Sequence, residues 1–145
     1  MSRFALLLLL VGLTGCAAAS GRSNLAADPV DQAAFAQLYF WRARPGQLEA
    51  YTRYVRDVAE PIDREAQRAG AFLSVATYLA SDSTLPWTHL RVFLLRDSAQ
   101  LAGLSASLSA AGERLQPDSS KRREQSAYSA SLRDRVGATV ARLVH

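Results

Sequence analysis

Phe35-Ala36-Gln37-Leu38-Tyr39-Phe40-Trp41-Arg42-Ala43 runs directly into Arg44-Pro45-Gly46 and then Gln47-Leu48-Glu49-Ala50-Tyr51. The first run is dense in aromatic and apolar side chains, which favour a pleated, half-buried surface, so it is expected to be a strand. Arg44-Pro45-Gly46 should stop it, and Pro45 suits the first turn of a helix, where its missing N–H costs nothing. Leu48, Tyr51, Val55, Val58, Ile62, Ala66 and Ala69 then recur every three or four residues, while Glu49, Arg53, Arg56, Asp57, Asp63, Arg64 and Arg68 take the other side. That is an amphipathic helix ending at Gly70, and Pro61 should kink or split it near Glu60.

Downstream, residues 71–80 alternate Phe72, Ser74, Ala76 and Tyr78 with Leu73, Val75, Thr77 and Leu79, as a strand does. Residues 81–86 carry turn chemistry. Residues 87–96 form a further strand, with His89, Arg91, Phe93 and Leu95 on one side and Leu90, Val92 and Leu94 on the other. The two should pair as an antiparallel hairpin. Asp97, three residues before Gln100, starts a second helix in a variant of the capping box. Its stripe is Leu101, Leu104, Leu108, Ala111 and Leu115, closed by Gln116-Pro117-Asp118. Residues 118–135 are polar and read as a short additional helix, with Lys121-Arg122-Arg123 a solvated basic cluster. Residues 136–144 fit either a helix or a strand. Strand is the choice here, because the order already read needs a fourth strand to complete its sheet. The expected fold class is therefore α+β: a ferredoxin-like βαββαβ unit whose four-stranded antiparallel sheet has two main helices on one face.

The first residues obey different rules. Met1-Ser2-Arg3 precedes an apolar run over residues 4–13, too short to span a bilayer, and Leu13-Thr14-Gly15-Cys16 follows. This is the pattern of a signal peptide, and its last four residues resemble the lipobox of bacterial lipoproteins. The resemblance implies that Cys16 is acylated and becomes the mature N-terminus, anchoring the protein in the cell-envelope membrane, facing the periplasm. Ala17, rather than Asp, after the cysteine implies the outer membrane. The expected division is a signal peptide over residues 1–15, a flexible tether over residues 16–31 and a domain over residues 32–145. Cys16 is the sole cysteine, which excludes an intramolecular disulfide or a cysteine metal cluster.

From the strand Tyr39-Phe40-Trp41-Arg42 through Pro45-Gly46 to Tyr51, with Trp87-Thr88-His89 and Phe93-Leu94-Leu95 after it, the domain resembles the dimeric α/β-barrel superfamily, which includes the NIPSNAP and antibiotic-biosynthesis-monooxygenase families. Members often pair their sheets, which implies a homodimer enclosing a cavity. If the registers Leu73/Val75/Leu79 and Leu90/Val92/Leu94 pack on the helices, then Tyr39, Trp41, Tyr78, His89, Arg91 and Phe93 point to the other face, as a pocket wall or a dimer interface. Trp41 would then hold the dimer together. His89 is the sole histidine inside the domain, either a structural hydrogen-bonded group or a titrating one. Arg91 could hold a carboxylate or pair with an acid.

A net charge of +4 arises almost wholly from arginine spread among acids, with Lys121 the only lysine. Without a one-sided basic face, nucleic acid is not an expected partner. There is no glycine-rich phosphate loop, histidine pair or Gly-x-Ser-x-Gly elbow, so no cofactor and no metal are expected. Two functions remain: a lipid-anchored, homodimerising module that is structural or binds a small apolar ligand, which is preferred, and a cofactor-free monooxygenase-like or haem-handling enzyme. Neither main helix carries a histidine to ligate haem iron.

Overall fold

The computed structural model describes residues 28–144. The expected signal peptide, Cys16, residues 16–27 of the expected tether and His145 lie outside the described residues. Residues expected to end the tether form a helical turn, α1 (Pro29–Gln32), capped by Asp28, whose Oδ1 accepts from Val30 N at 2.9 Å.

β1 (Phe35–Ala43) ends at a turn in which Gln47 N donates to Arg44 O at 2.8 Å. Gly46 sits there at φ +75°, a left-handed conformation that glycine tolerates and that suits a turn with proline just before it. Pro45 thus shapes the turn rather than the first turn of the helix. α2 (Leu48–Tyr54) continues through a π-helical segment (Val55–Ala59) into α3 (Glu60–Arg68). The helical rod continues through Pro61, but it is divided into α2, the π-helical segment and α3, with the last junction at Glu60, where a split was expected. Glu60 N donates to Val55 O, five residues back, and Pro61 falls in the first turn of α3, where a missing N–H is tolerated. Gly70, at φ +80°, ends the rod.

β2 (Ser74–Leu79) and β3 (His89–Leu95) form the expected hairpin. α4 (Ser98–Leu115) begins at Asp97, whose Oδ1 accepts from Gln100 N at 2.9 Å, and it runs through Gly112 without interruption. α5 (Ser119–Leu132) is capped by Asp118 and passes directly into β4 (Arg133–Arg142). The terminal segment is a strand, beginning three residues earlier than the stretch read as ambiguous. Strand order is β2-β3-β1-β4, antiparallel throughout, which is the ferredoxin-like arrangement.

The helices cover one face of this sheet. Phe93 and Leu95 of β3 are buried with Phe72, Leu104, Ala66 and Ala111, and a second cluster joins Tyr51, Val55, Leu132 and Ala43, with Trp41 against it. This corrects the expected sidedness of β3. His89, Arg91, Phe93 and Leu95 face the helices, and Leu90, Val92 and Leu94 lie on the uncovered face. Register carries the correction to β1, where Tyr39 pairs with Arg91 and Trp41 with His89, whereas β2 keeps its expected side, with Val75 opposite Phe93 and Leu79 opposite His89. Both faces of the sheet are apolar, so hydrophobicity did not discriminate between them. The covered side is the one where Arg91 and His89 find buried polar partners.

Candidate functional site

Of the six residues expected on an open face, only Tyr78 is there, paired with Leu90 and 54% exposed. Tyr39, Trp41, His89, Arg91 and Phe93 lie beneath the helices. Phe93 is core, with edge-on ring contacts to Phe72 and Tyr39. The other four surround a polar network.

His89 is 1% exposed, and its ring lies 4.3 Å from that of Tyr51, centroid to centroid. Thr52 Oγ1 donates to Leu48 O at 2.8 Å, which leaves its oxygen to accept from His89 Nε2 at 3.1 Å. Thr88 Oγ1 accepts from Ala43 N, and its one proton has two acceptors in reach, His89 Nδ1 at 2.9 Å and Trp41 O at 3.3 Å, of which the nitrogen is the nearer. A neutral imidazole protonated on Nε2 satisfies both contacts. Burial, with the nearby Arg133 cation, pushes the His89 pKa down to about 4. His89 is therefore a neutral, hydrogen-bonded histidine near neutral pH.

Arg91 reaches up from β3 to α3, where one Nη donates to Asp63 Oδ2. Their side chains are 11% and 4% exposed. Burial raises the Asp63 pKa to about 6, although Arg91 opposes the shift. The Arg91 Nε is enclosed and has no hydrogen-bond partner.

Sequence reading missed a second arginine. The β1–β4 register slips between Phe40 and Trp41, where Gly137 pairs with Phe40 but Arg135 with Trp41, leaving Val136 as an extra residue. The bulge reverses the sidedness of what precedes it in β4. Arg133, opposite Ala43, is thereby aimed into the covered layer. Its guanidinium carbon stands 3.6 Å from the centroid of Trp41, Nη1 donates to Tyr51 Oη at 2.7 Å, and Nε donates to Ser129 Oγ at 3.1 Å. Burial pushes the Tyr51 phenol pKa up, against the pull of Arg133, so Tyr51 remains a neutral hydroxyl. No signal in the sequence marks a bulge at Val136, and a charged residue near a helix end reads as solvated.

Arg91 and Arg133 both line a cleft of about 400 Å³ between α3, α4 and α5, and a smaller recess of about 260 Å³ that reaches the sheet. Val58, Ile62 and Leu108 supply apolar wall to the cleft, and Tyr39, Trp41 and Phe93 floor the recess. Leu108 and Ser109 border both, so the two adjoin. A concave space with aromatic walls and a few convergent polar groups is the usual make-up of a small-molecule site. Among the described residues no group of three or more His, Cys, Asp or Glu side chains could hold a metal ion, and no helix is long and apolar enough to cross a membrane.

The crystal structure of HapK from Hahella chejuensis is similar to this chain, at a TM-score of 0.52 and 12% identity, over 76% of this chain and 92% of that one. At that identity the likeness supports the ferredoxin-like α/β fold alone. No protein-family model matches the chain. No curated protein matches it in sequence.

Proposed function

We propose that this protein is a lipoprotein of the bacterial cell envelope, held in the membrane by acylated Cys16, whose domain pairs with a second copy and binds a small molecule between its sheet and its helices. The observation that carries the binding role is the cleft of about 400 Å³, with Arg91 and Arg133 among its lining residues. The uncovered sheet face supports the pairing: Leu38, Phe40, Leu90, Val92 and Leu94 lie together on it and are only half-buried in a single copy. The anchor rests on Leu13-Thr14-Gly15-Cys16. Two or three acyl chains would hold the protein stably, where one holds it only marginally. A binding module is favoured over an oxygenase-like enzyme because His89, with both ring nitrogens engaged, offers no free proton acceptor.

Native mass spectrometry of the full chain, expressed in a bacterium and extracted from membranes in detergent, tests the three parts separately. The expected species is a dimer of chains that begin at acylated Cys16, releasing a small molecule under activation. An unacylated chain would overturn the anchor, and a monomer the pairing. A dimer that takes up no small molecule, even from a cell extract, would overturn the binding role.

A further inference from the structure

We propose that the ligand of this cleft carries a carboxylate, held between Arg133 and Arg91, with an aromatic or apolar body against the floor formed by Trp41 and Tyr39. This inference rests on the cleft being a binding site and adds the chemical class of what it binds.

Charge balance gives the first reason. Two guanidinium groups converge on the covered layer and line both the cleft and the recess, but only Arg91 has a carboxylate partner. Among the described residues no carboxylate lies within ion-pair distance of Arg133; its partners are a hydroxyl, a phenol and the face of an indole ring. Asp63 offsets one of the two positive charges. At the rim, Arg122 and the exposed Glu113 both line the cleft, Arg122 being tied to the carbonyls of Gln116 and Pro117, and Arg135 adds a further cation to the recess. The lining is thus in positive excess, and Arg133, partly exposed to the cleft and without a carboxylate, is the cation left to attract an anion.

Unused donors give the second reason. Arg133 Nη2 makes no hydrogen bond within the described residues, whereas Nε and Nη1 are committed. The Arg91 Nε is likewise unmatched but enclosed, so the donor open to a ligand oxygen is Arg133 Nη2. The planar guanidinium fork matches a carboxylate in geometry as well as in charge. The third reason is the surroundings. The Trp41 ring lies against the Arg133 guanidinium, and Val58, Ile62 and Leu108 give the cleft apolar wall, while the other lining arginine, Arg122, is already tied to two carbonyls.

Fluorine NMR titration of the full chain in detergent, with 4-fluorobenzoate and its uncharged analogue 4-fluorobenzyl alcohol as probes, decides the matter. The benzoate is expected to bind at least about tenfold more tightly, the scale of a charge-assisted hydrogen bond. Arg133→Gln should remove that preference, and Arg133→Lys should restore part of it. Equal binding of both probes would overturn the carboxylate while leaving the cleft a ligand site. Binding of neither would overturn both readings. Should Arg133→Gln fail to fold, the comparison of the two probes on the natural chain decides by itself.

Discussion

His89 and Asp63 are buried titratable groups whose shifts pull stability in opposite directions. A histidine pKa lowered from 6.5 to about 4 means that the unfolded chain binds the proton first as the pH drops. Its contribution to stability is complete above about 6.5 and is lost as the pH falls toward 4. Asp63, raised from 3.8 to about 6, takes its proton first in the folded state, so its effect on stability falls as the pH rises through the same interval. Replacing His89 by Gln removes one of the two. The slope of unfolding free energy against pH between 4 and 6.5 should then drop by up to about 1.4 kcal/mol per pH unit, the equivalent of one proton. Urea titrations of both chains at several pH values measure this, and an unchanged slope would mean that His89 is not neutral in the fold. The sequence singled out His89 as the one histidine away from the chain's last position. It could not name Thr52 and Thr88 as the partners that keep it neutral, because Thr52 becomes a neighbour only when α2 lies across β3.

The helical rod formed by α2, the π-helical segment and α3 carries the element-scale consequences, since it brings Tyr51 over His89 and Asp63 over Arg91. Its existence and both its ends were legible in the spacing of Leu48 through Ala69 and in Gly70. The π-helical segment was not, because a proline marks an interruption by its missing N–H and does not tell that a wider turn precedes it. The Asp63–Arg91 pair crosses from helix to sheet, and such pairs are expensive to break from one side. Asp63→Leu, which strands the Arg91 cation, should cost about 3–5 kcal/mol in urea unfolding. Asp63→Leu combined with Arg91→Met should recover most of that, because neither charge then remains buried alone. A double variant as unstable as the single would show that volume, and not charge, governs this contact.

At the scale of the whole molecule, the sheet has one face buried by helices and one face left apolar and open. Val92 lies in the middle of the open face, between Leu38 and Ala76. Val92→Arg should convert a dimer to a monomer in sedimentation equilibrium, while Trp41→Ala, which acts on the covered side beneath Arg133, should leave the dimer intact. The reverse pattern would place the pairing surface elsewhere. The sequence alone determined the order of the first three strands and the two main helices, written in short-range periodicity and in the local needs of proline, glycine and capping residues, and the fourth strand followed from the sheet that this order implies. Only the tertiary structure decided which side of each strand is covered. Alternation with a period of two says that neighbouring residues oppose one another and not which of them faces inward, and here both sides are apolar enough to be buried. The bulge at Val136, the approach of Arg133 to Trp41 and the union of Asp63 with Arg91 join residues distant in the chain, so they arise when the layers pack and have no local trace.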